Sequence, residues 1–362
     1  MMDITKIDRN FKIEHHIDEN DVALYDVRCE PFDLYGLYNP CRETQFKRLP
    51  DEVAKSVNDG VANLYLHTAG GRVRFATDSP YVAIKVEMPS ITHFPHMPLT
   101  GTSGFDLFLD EPLTGSSRFV KGFAPNNDAK DGYEGKIKFG NRKMRYFTLN
   151  FPTYNSVKNL WIGLSETAAV DHGLSYAQAA PIVYYGSSIT QGGCSARPGS
   201  AYQAIVSRRL NMDFLNLGFS GSGKGEDTMV DYMTSLEMSV FVSDYDHNAP
   251  NVEHLRGTHY NLYEKIRAKH PEIPYVMLSR PDFLGAVSDS ERRREVIIES
   301  YHKAKAAGDK NVYLIDGESI FRGPYAQLCT VDGCHPTDIG FALMADAVEH
   351  EIRMAFTQKY LL

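Results

Sequence analysis

The chain has 362 residues, 43% hydrophobic and 23% charged, with a net charge of −8 and a pI near 5.9. That length favours two domains, and the composition is that of a soluble globular protein. The acidic balance argues against a nucleic-acid or anionic-membrane partner, since the densest basic run, Glu291-Arg292-Arg293-Arg294-Glu295, reads as a solvated helix face.

No apolar run approaches the roughly 20 residues needed to span a bilayer. Met1 to Lys6 carry no apolar core of a signal peptide, so a cytoplasmic location is expected unless a leader has been removed. Cys29, Cys41, Cys194, Cys329 and Cys334 are odd in number and scattered, which fits free thiols rather than a disulfide framework.

From about residue 20 to 170 the pattern is β structure. Val61–Leu66, Val73–Ala76, Val82–Met88, Phe105–Leu109, Lys136–Phe139, Met144–Phe151 and Leu160–Leu164 are short runs rich in Val, Ile, Tyr and Phe. Turn clusters such as Ala69-Gly70-Gly71 and Thr77-Asp78-Ser79-Pro80 separate them. This predicts an antiparallel β-sandwich or jelly roll without a long amphipathic helix. Trp161 reads as a core residue.

The grammar changes near residue 175. Apolar strands at Ile182–Tyr185, Asp213–Leu217, Val240–Val242, Tyr275–Leu278 and Val312–Ile315 alternate with helical stretches near 200–211, 226–238, 256–270, 289–307 and 338–357. Alternating β and α predicts a doubly wound parallel sheet with helices on both faces. The expected division is a sandwich over 1–175 and an α/β domain over 176–362.

In such a sheet the working crevice lies beyond the carboxyl ends of the strands. The first predicted strand runs into Gly186-Ser187-Ser188-Ile189-Thr190. The second runs into Gly218-Phe219-Ser220-Gly221-Ser222-Gly223, and the third into Asp244-Tyr245-Asp246-His247-Asn248. The fifth leads to a loop with Asp332-Gly333-Cys334-His335-Pro336. An acid three residues before a histidine can accept the Nδ1 proton and leave Nε2 free to take a proton from a serine hydroxyl. Ser188 is then the candidate nucleophile, His335 the general base and Asp332 its orienter. The Ser188 and Gly221 N–H groups and the Asn248 amide are candidate oxyanion donors.

On these blocks the chain resembles the SGNH (GDSL-type) hydrolase superfamily of esterases and acyl hydrolases, which implies a flavodoxin-like catalytic domain. Gly186 to Thr190 match the nucleophile block. Asn216 and Gly221 match the second block, Asn248 the third, and Asp332 to Pro336 the last. Pro31-Phe32-Asp33-Leu34-Tyr35-Gly36-Leu37-Tyr38 is similar to a segment that precedes such domains in two-domain bacterial esterases with an N-terminal β-sandwich. Two positions depart from the pattern. Ser187 stands where the commonest motif has Asp, and His247-Asn248-Ala249-Pro250 replaces Gly-Asn-Asp.

The resemblance implies a metal-free and cofactor-free serine esterase acting on small acyl esters, acetyl on carbohydrates above all, with a small-molecule or oligosaccharide substrate. Alternatives are an acyltransferase with the same triad and a non-catalytic carbohydrate-binding protein. Each residue also has a plainer reading: Ser187 and Ser188 as helix caps, Asp332 and Asn248 as turn formers, His335 as a packed side chain. Gly218 to Lys224 also fit GxxxxGK of a phosphate loop, with Asp244 ending a Walker-B-like run. The Ser or Thr required next is Gly225. Neither His15 with His16 nor His93 with His96 has metal-ligand spacing with supporting carboxylates. His247 is a candidate substrate contact.

Overall fold

The computed structural model describes residues 7–8, 16–281 and 289–360; His15 lies outside them. The chain order is β1 (Val22–Asp26), β2 (Asp33–Tyr35), α1 (Asp51–Val57), α2 (Asp59–Leu64), β3 (Arg72–Thr77), β4 (Tyr81–Glu87), α3 (Leu99–Thr102), β5 (Phe105–Asp110), β6 (Ser117–Phe123), β7 (Gly132–Lys138), β8 (Arg145–Asn150), β9 (Asn159–Ser165) and β10 (Val170–His172). Then follow β11 (Ile182–Gly186), α4 (Ser188–Gln191), α5 (Tyr202–Leu210), β12 (Phe214–Gly218), α6 (Asp227–Thr234), β13 (Val240–Asp244), α7 (Val252–Lys269), β14 (Tyr275–Leu278), α8 (Ser290–Ala306), β15 (Val312–Ile315) and α9 (Asp338–Tyr360).

The first ten strands form two antiparallel sheets. One has the order β1-β9-β4-β7; the other has β10-β3-β8-β5-β6, with β2 paired to β3. Phe75, Phe105, Phe147, Phe151, Ile84 and Ile162 fill the space between them. Alternate residues on each strand supply that core, which is why short Val/Phe-rich runs were legible as strands.

One predicted strand is a helix. Val61–Leu66 overlaps α2, with Val61 and Tyr65 buried and Asn63 exposed between them. Burial four residues apart is the helical period, and Asn58 caps the helix by accepting the Val61 N–H at 2.9 Å. The preceding helix α1 was also not foreseen, nor were β1, β2, β6 and β10. Trp161 is half-buried in β9 rather than a core residue.

The remaining strands form one parallel sheet in the order β12-β11-β13-β14-β15. Counting from β11, this is the flavodoxin-like order 2-1-3-4-5. Helices α6, α7 and α8 pack one face through Met229, Leu262 and Ile297; α5 and α9 pack the other through Val206, Phe341 and Val348. The direction of winding reverses between β11 and β13. The loops after those two strands therefore bound an open crevice. Among the described residues no helix is long and apolar enough to cross a membrane.

His259 on α7 is buried and stacks on Tyr245, with ring centroids 5.8 Å apart. Burial lowers its pKa to about 4. Below about pH 6.5 the unfolded chain binds a proton that the folded ring refuses until about pH 4. Stability is therefore lost as pH falls through that window. His259→Phe, which keeps the stack, is expected to flatten the fall in Tm between about pH 7 and 4.5. An equally steep fall in calorimetry would assign the acid sensitivity to other groups.

Candidate active site

Ser187 and Ser188 stand where β11 turns into α4, and their surroundings separate them. Ser187 is fully buried. Its Oγ accepts the Ile189 N–H at 3.1 Å, and the Thr190 hydroxyl accepts the Ser187 N–H at 3.1 Å. This reciprocal cap satisfies orphan donors at the helix start. Thr190 Oγ1 in turn donates to Asp244 Oδ2 at 3.0 Å, which also takes the Tyr202 hydroxyl at 3.1 Å. Ser187 is therefore structural. Ser188, one residue on, is half-buried, and its Oγ lies 2.9 Å from His335 Nε2.

His335 is held from behind. Its Nδ1 lies 2.8 Å from Asp332 Oδ2, and the other carboxylate oxygen accepts the backbone N–H of His335 at 2.8 Å and of Cys334 at 3.0 Å. Partial burial alone would raise the Asp332 pKa, but these hydrogen bonds outweigh it and lower it to about 2. The carboxylate stays ionised near neutral pH and fixes the tautomer that leaves Nε2 open to the serine.

Gly218 has no room for a side chain: a Cβ there would sit 2.2 Å from the Gln191 nitrogen. That contact lets α4 lie against β12. Nearly every N–H of the turn that follows has a partner, within the turn or on β11 and α4. Phe219 N–H donates to Gly186 O, and Ser222 and Gly223 N–H donate to Phe219 O. Ser220 N–H donates to Gln191 Oε1 at 3.0 Å, Lys224 N–H to Glu226 Oε2, and Gly225 N–H to the Tyr185 hydroxyl. From 219 to 225, Gly221 alone keeps an unused N–H among the described residues. A phosphate cradle needs several such groups, so the phosphate-loop reading of this segment falls. Gly221 has a φ of +66° and nothing within 4 Å of a built Cβ. The left-handed backbone, rather than crowding by neighbours, explains the glycine.

Asn248 follows β13 and donates one amide hydrogen to Phe219 O at 2.8 Å, which ties it to the same turn. A primary amide has a second hydrogen. His247 is half-buried, with its Nδ1 3.8 Å from Cys334 Sγ, so it borders the loop that carries His335.

Several neighbours carried no sequence signal. Gln191 donates from Nε2 to Thr153 O and to His67 Nδ1, at 3.1 and 3.2 Å. His67 accepts as a neutral ring, in keeping with a pKa lowered by burial to about 4. The Tyr154 hydroxyl donates to Ser188 O at 3.2 Å. Arg48 is buried and donates from Nε to His67 O, from Nη1 to Asn216 O and Gly218 O, and from Nη2 to Leu64 O. Burial draws its pKa down to about 9. His96 and Phe94 come from the segment between β4 and α3. The His96 ring lies 6.0 Å from that of His335, and Phe94 packs edge-on to Tyr154 at 5.7 Å.

Residues 179–353 match the GDSL-like Lipase/Acylhydrolase family, and residues 23–170 match the N-terminus of the SGNH-hydrolase-type esterases. The chain belongs to the SGNH (GDSL-type) hydrolase superfamily. No curated protein matches it in sequence. A solved Bacteroides ovatus protein described as a GDSL-like lipase is 25% identical, with a TM-score of 0.82 over 93% of this chain and 98% of that one. The salicylyl-acyltransferase SsfX3 of a tetracycline biosynthetic pathway is 19% identical, with a TM-score of 0.74 over 93% and 98%. An acetyl xylan esterase of the rumen bacterium Butyrivibrio proteoclasticus is 13% identical, with a TM-score of 0.58 over 92% and 99%. The last two likenesses are of fold. All three span both layers of this SGNH-superfamily chain.

Replacing Arg48 with Met would remove its donations to the buried carbonyls of His67, Asn216 and Gly218, while Leu64 O would keep the His67 N–H. The expected loss is about 3 kcal/mol of unfolding free energy, read from urea titration. A loss under about 1 kcal/mol would show that water replaces the guanidinium.

Proposed function

We propose that this protein is a serine esterase that hydrolyses small acyl esters, foremost acetyl esters of carbohydrates. The observation that carries the reading is the unbroken chain from Ser188 Oγ through the His335 imidazole to the Asp332 carboxylate. In the proposed reaction His335 Nε2 takes the Ser188 proton as Oγ bonds to the ester carbonyl carbon. Negative charge moves to the carbonyl oxygen. The Ser188 and Gly221 N–H groups and the second Asn248 amide hydrogen stabilise it. The imidazolium then protonates the leaving alcohol as the C–O bond breaks. Water, deprotonated by His335, releases the acid from Ser188. No step calls on a metal or organic cofactor.

In this reading residues 176–362 perform the chemistry and residues 1–175 frame the crevice. Superfamily membership supports the ester chemistry. Fold likeness to an acetyl xylan esterase supports acetyl on a carbohydrate as the first substrate to try. The likeness to an acyltransferase keeps acyl transfer as the second reading, since an alcohol can replace water in the last step.

Mass spectrometry of acetylated oligosaccharides incubated with the enzyme, with and without an added sugar acceptor, separates the readings. Free acetate indicates hydrolysis, and acetylated acceptor indicates transfer. With p-nitrophenyl acetate, Ser188→Ala is expected to abolish turnover, and Asp332→Asn to lower kcat on the order of 10⁴-fold. Ser187→Ala should keep kcat within about tenfold while losing about 1 kcal/mol of stability as a removed cap. Full activity in Ser188→Ala would end the proposal.

Gln191 acts through the turn it holds. Gln191→Met keeps the packing but frees the Ser220 N–H. A fall in kcat of about 100-fold with KM little changed is expected. A change in KM alone would place Gln191 in substrate binding instead.

A further inference from the structure

His96, Cys194 and His335 come from three distant parts of the sequence and meet beside Ser188. One ligand atom from each lies within 4.8 Å of the other two. His96 is exposed, on the segment after β4. Cys194 follows α4 and is 5% exposed, packed against Met97 and Tyr154. Its φ of +71° is uncommon for a residue other than glycine and turns the chain sharply there.

The orientation of His335 decides what it can offer. Its Nδ1 is engaged by Asp332, so its free lone pair is on Nε2, facing Ser188. The Cδ2 edge next to Nε2 faces Gly193, the neighbour of Cys194: a Cβ on Gly193 would lie 3.3 Å from that carbon. The His96 and His335 ring planes are inclined by 52°, so the rings are not stacked.

Two imidazoles and a thiolate are a borderline-soft donor set, which selects zinc-like cations over Mg²⁺ or Ca²⁺. Tetrahedral Zn²⁺, with bonds of about 2.0–2.3 Å, needs ligand atoms roughly 3.3–3.8 Å apart. Drawing the three ligand atoms together by up to roughly 1 Å closes the difference; the exposed His96 side chain can supply its part by rotation, and the remainder is a movement of the Cys194 and His335 loops. Asp332 behind His335 is the carboxylate partner that metal-bound histidines commonly have.

We propose that His96, Cys194 and His335 form an inhibitory site for Zn²⁺. On capture the Cys194 S–H bond breaks, an S–Zn bond forms and the proton passes to solvent. The metal occupies the Nε2 lone pair that would otherwise accept the Ser188 proton. The nucleophile then has no base, and the enzyme is reversibly off. The site goes beyond the esterase reading, because metal capture is measured whatever reaction the protein performs.

Isothermal titration calorimetry with ZnCl₂ on the full chain provides the test. One-site binding on the order of 10 µM or tighter is expected. His96→Gln and Cys194→Ser should each weaken it at least about tenfold. His302→Gln, on α8, should leave it unchanged. Co²⁺ in place of Zn²⁺ should give a near-ultraviolet thiolate charge-transfer band that disappears in Cys194→Ser. p-Nitrophenyl acetate hydrolysis, where present, should fall over the same Zn²⁺ range and return on adding EDTA. Undetectable binding, or binding retained by both His96→Gln and Cys194→Ser, would overturn the site. His96 is exposed, so its variant remains informative if Cys194→Ser folds poorly. Zinc binding without ester hydrolysis would count against the catalytic proposal and leave this one standing.

Discussion

Arg48 is the contact on which the arrangement of the two layers turns. It sits on the sandwich side, yet its guanidinium donates to the backbone carbonyls of Asn216 and Gly218 at the end of β12. It also donates to His67 and Leu64 within its own layer, and its plane covers the Phe219 ring at 4.4 Å. Carbonyl dipoles replace the water the cation has lost. A planar fork of five N–H groups can serve several carbonyls at once, which a lysine could not. The end of β12 and the turn after it are thereby pinned to the neighbouring layer.

Other bonds extend the same seam. Arg72 pairs with Asp213 just before β12. Asp106 accepts the Gly199 N–H at 2.9 Å, and the Thr100 hydroxyl donates to Ala196 O at 2.6 Å. Burial raises the Asp106 and Asp213 pKa values against the pull of nearby arginines. Polar partners at such a junction fix relative orientation, because a displaced donor or acceptor would be left buried and unpaired. Tyr154 and Thr153, both from the sandwich layer, reach Ser188 O and Gln191 through this seam. The sandwich layer thus helps to set the backbone from which Ser188 projects toward His335.

Around Ser188 nearly every polar group has a fixed partner, and the exceptions are the groups that chemistry would need. Ser187 is spent as a cap, and among the described residues the N–H groups from 219 to 225 other than that of Gly221 are spent on partners in the turn, on β11 or on α4. The Asp332 carboxylate is spent on His335 and its backbone. What remains among the described residues is one hydroxyl and one imidazole nitrogen, paired with each other, and unused N–H donors at the ends of adjacent strands. Preorganisation of this kind costs stability locally and is offset by the surrounding packed sheet.

The sequence by itself determined the parallel domain closely, because each strand is a buried apolar run and each helix has room to show its period. It also indicated Ser188, Asp332 and His335, because a doubly wound sheet sends whatever follows its strands to one rim. It misled at Val61–Leu66, where a short apolar run has no visible period until Asn58 is known to cap it. Only the tertiary structure decided which adjacent serine faces the histidine, since a one-residue step along a helix start swings the side chain from the interior to the crevice. Only it brought Arg48, His67, Gln191, His96 and Cys194 to the site. Their roles depend on contacts between segments far apart in the chain, and no local pattern of residues encodes such contacts.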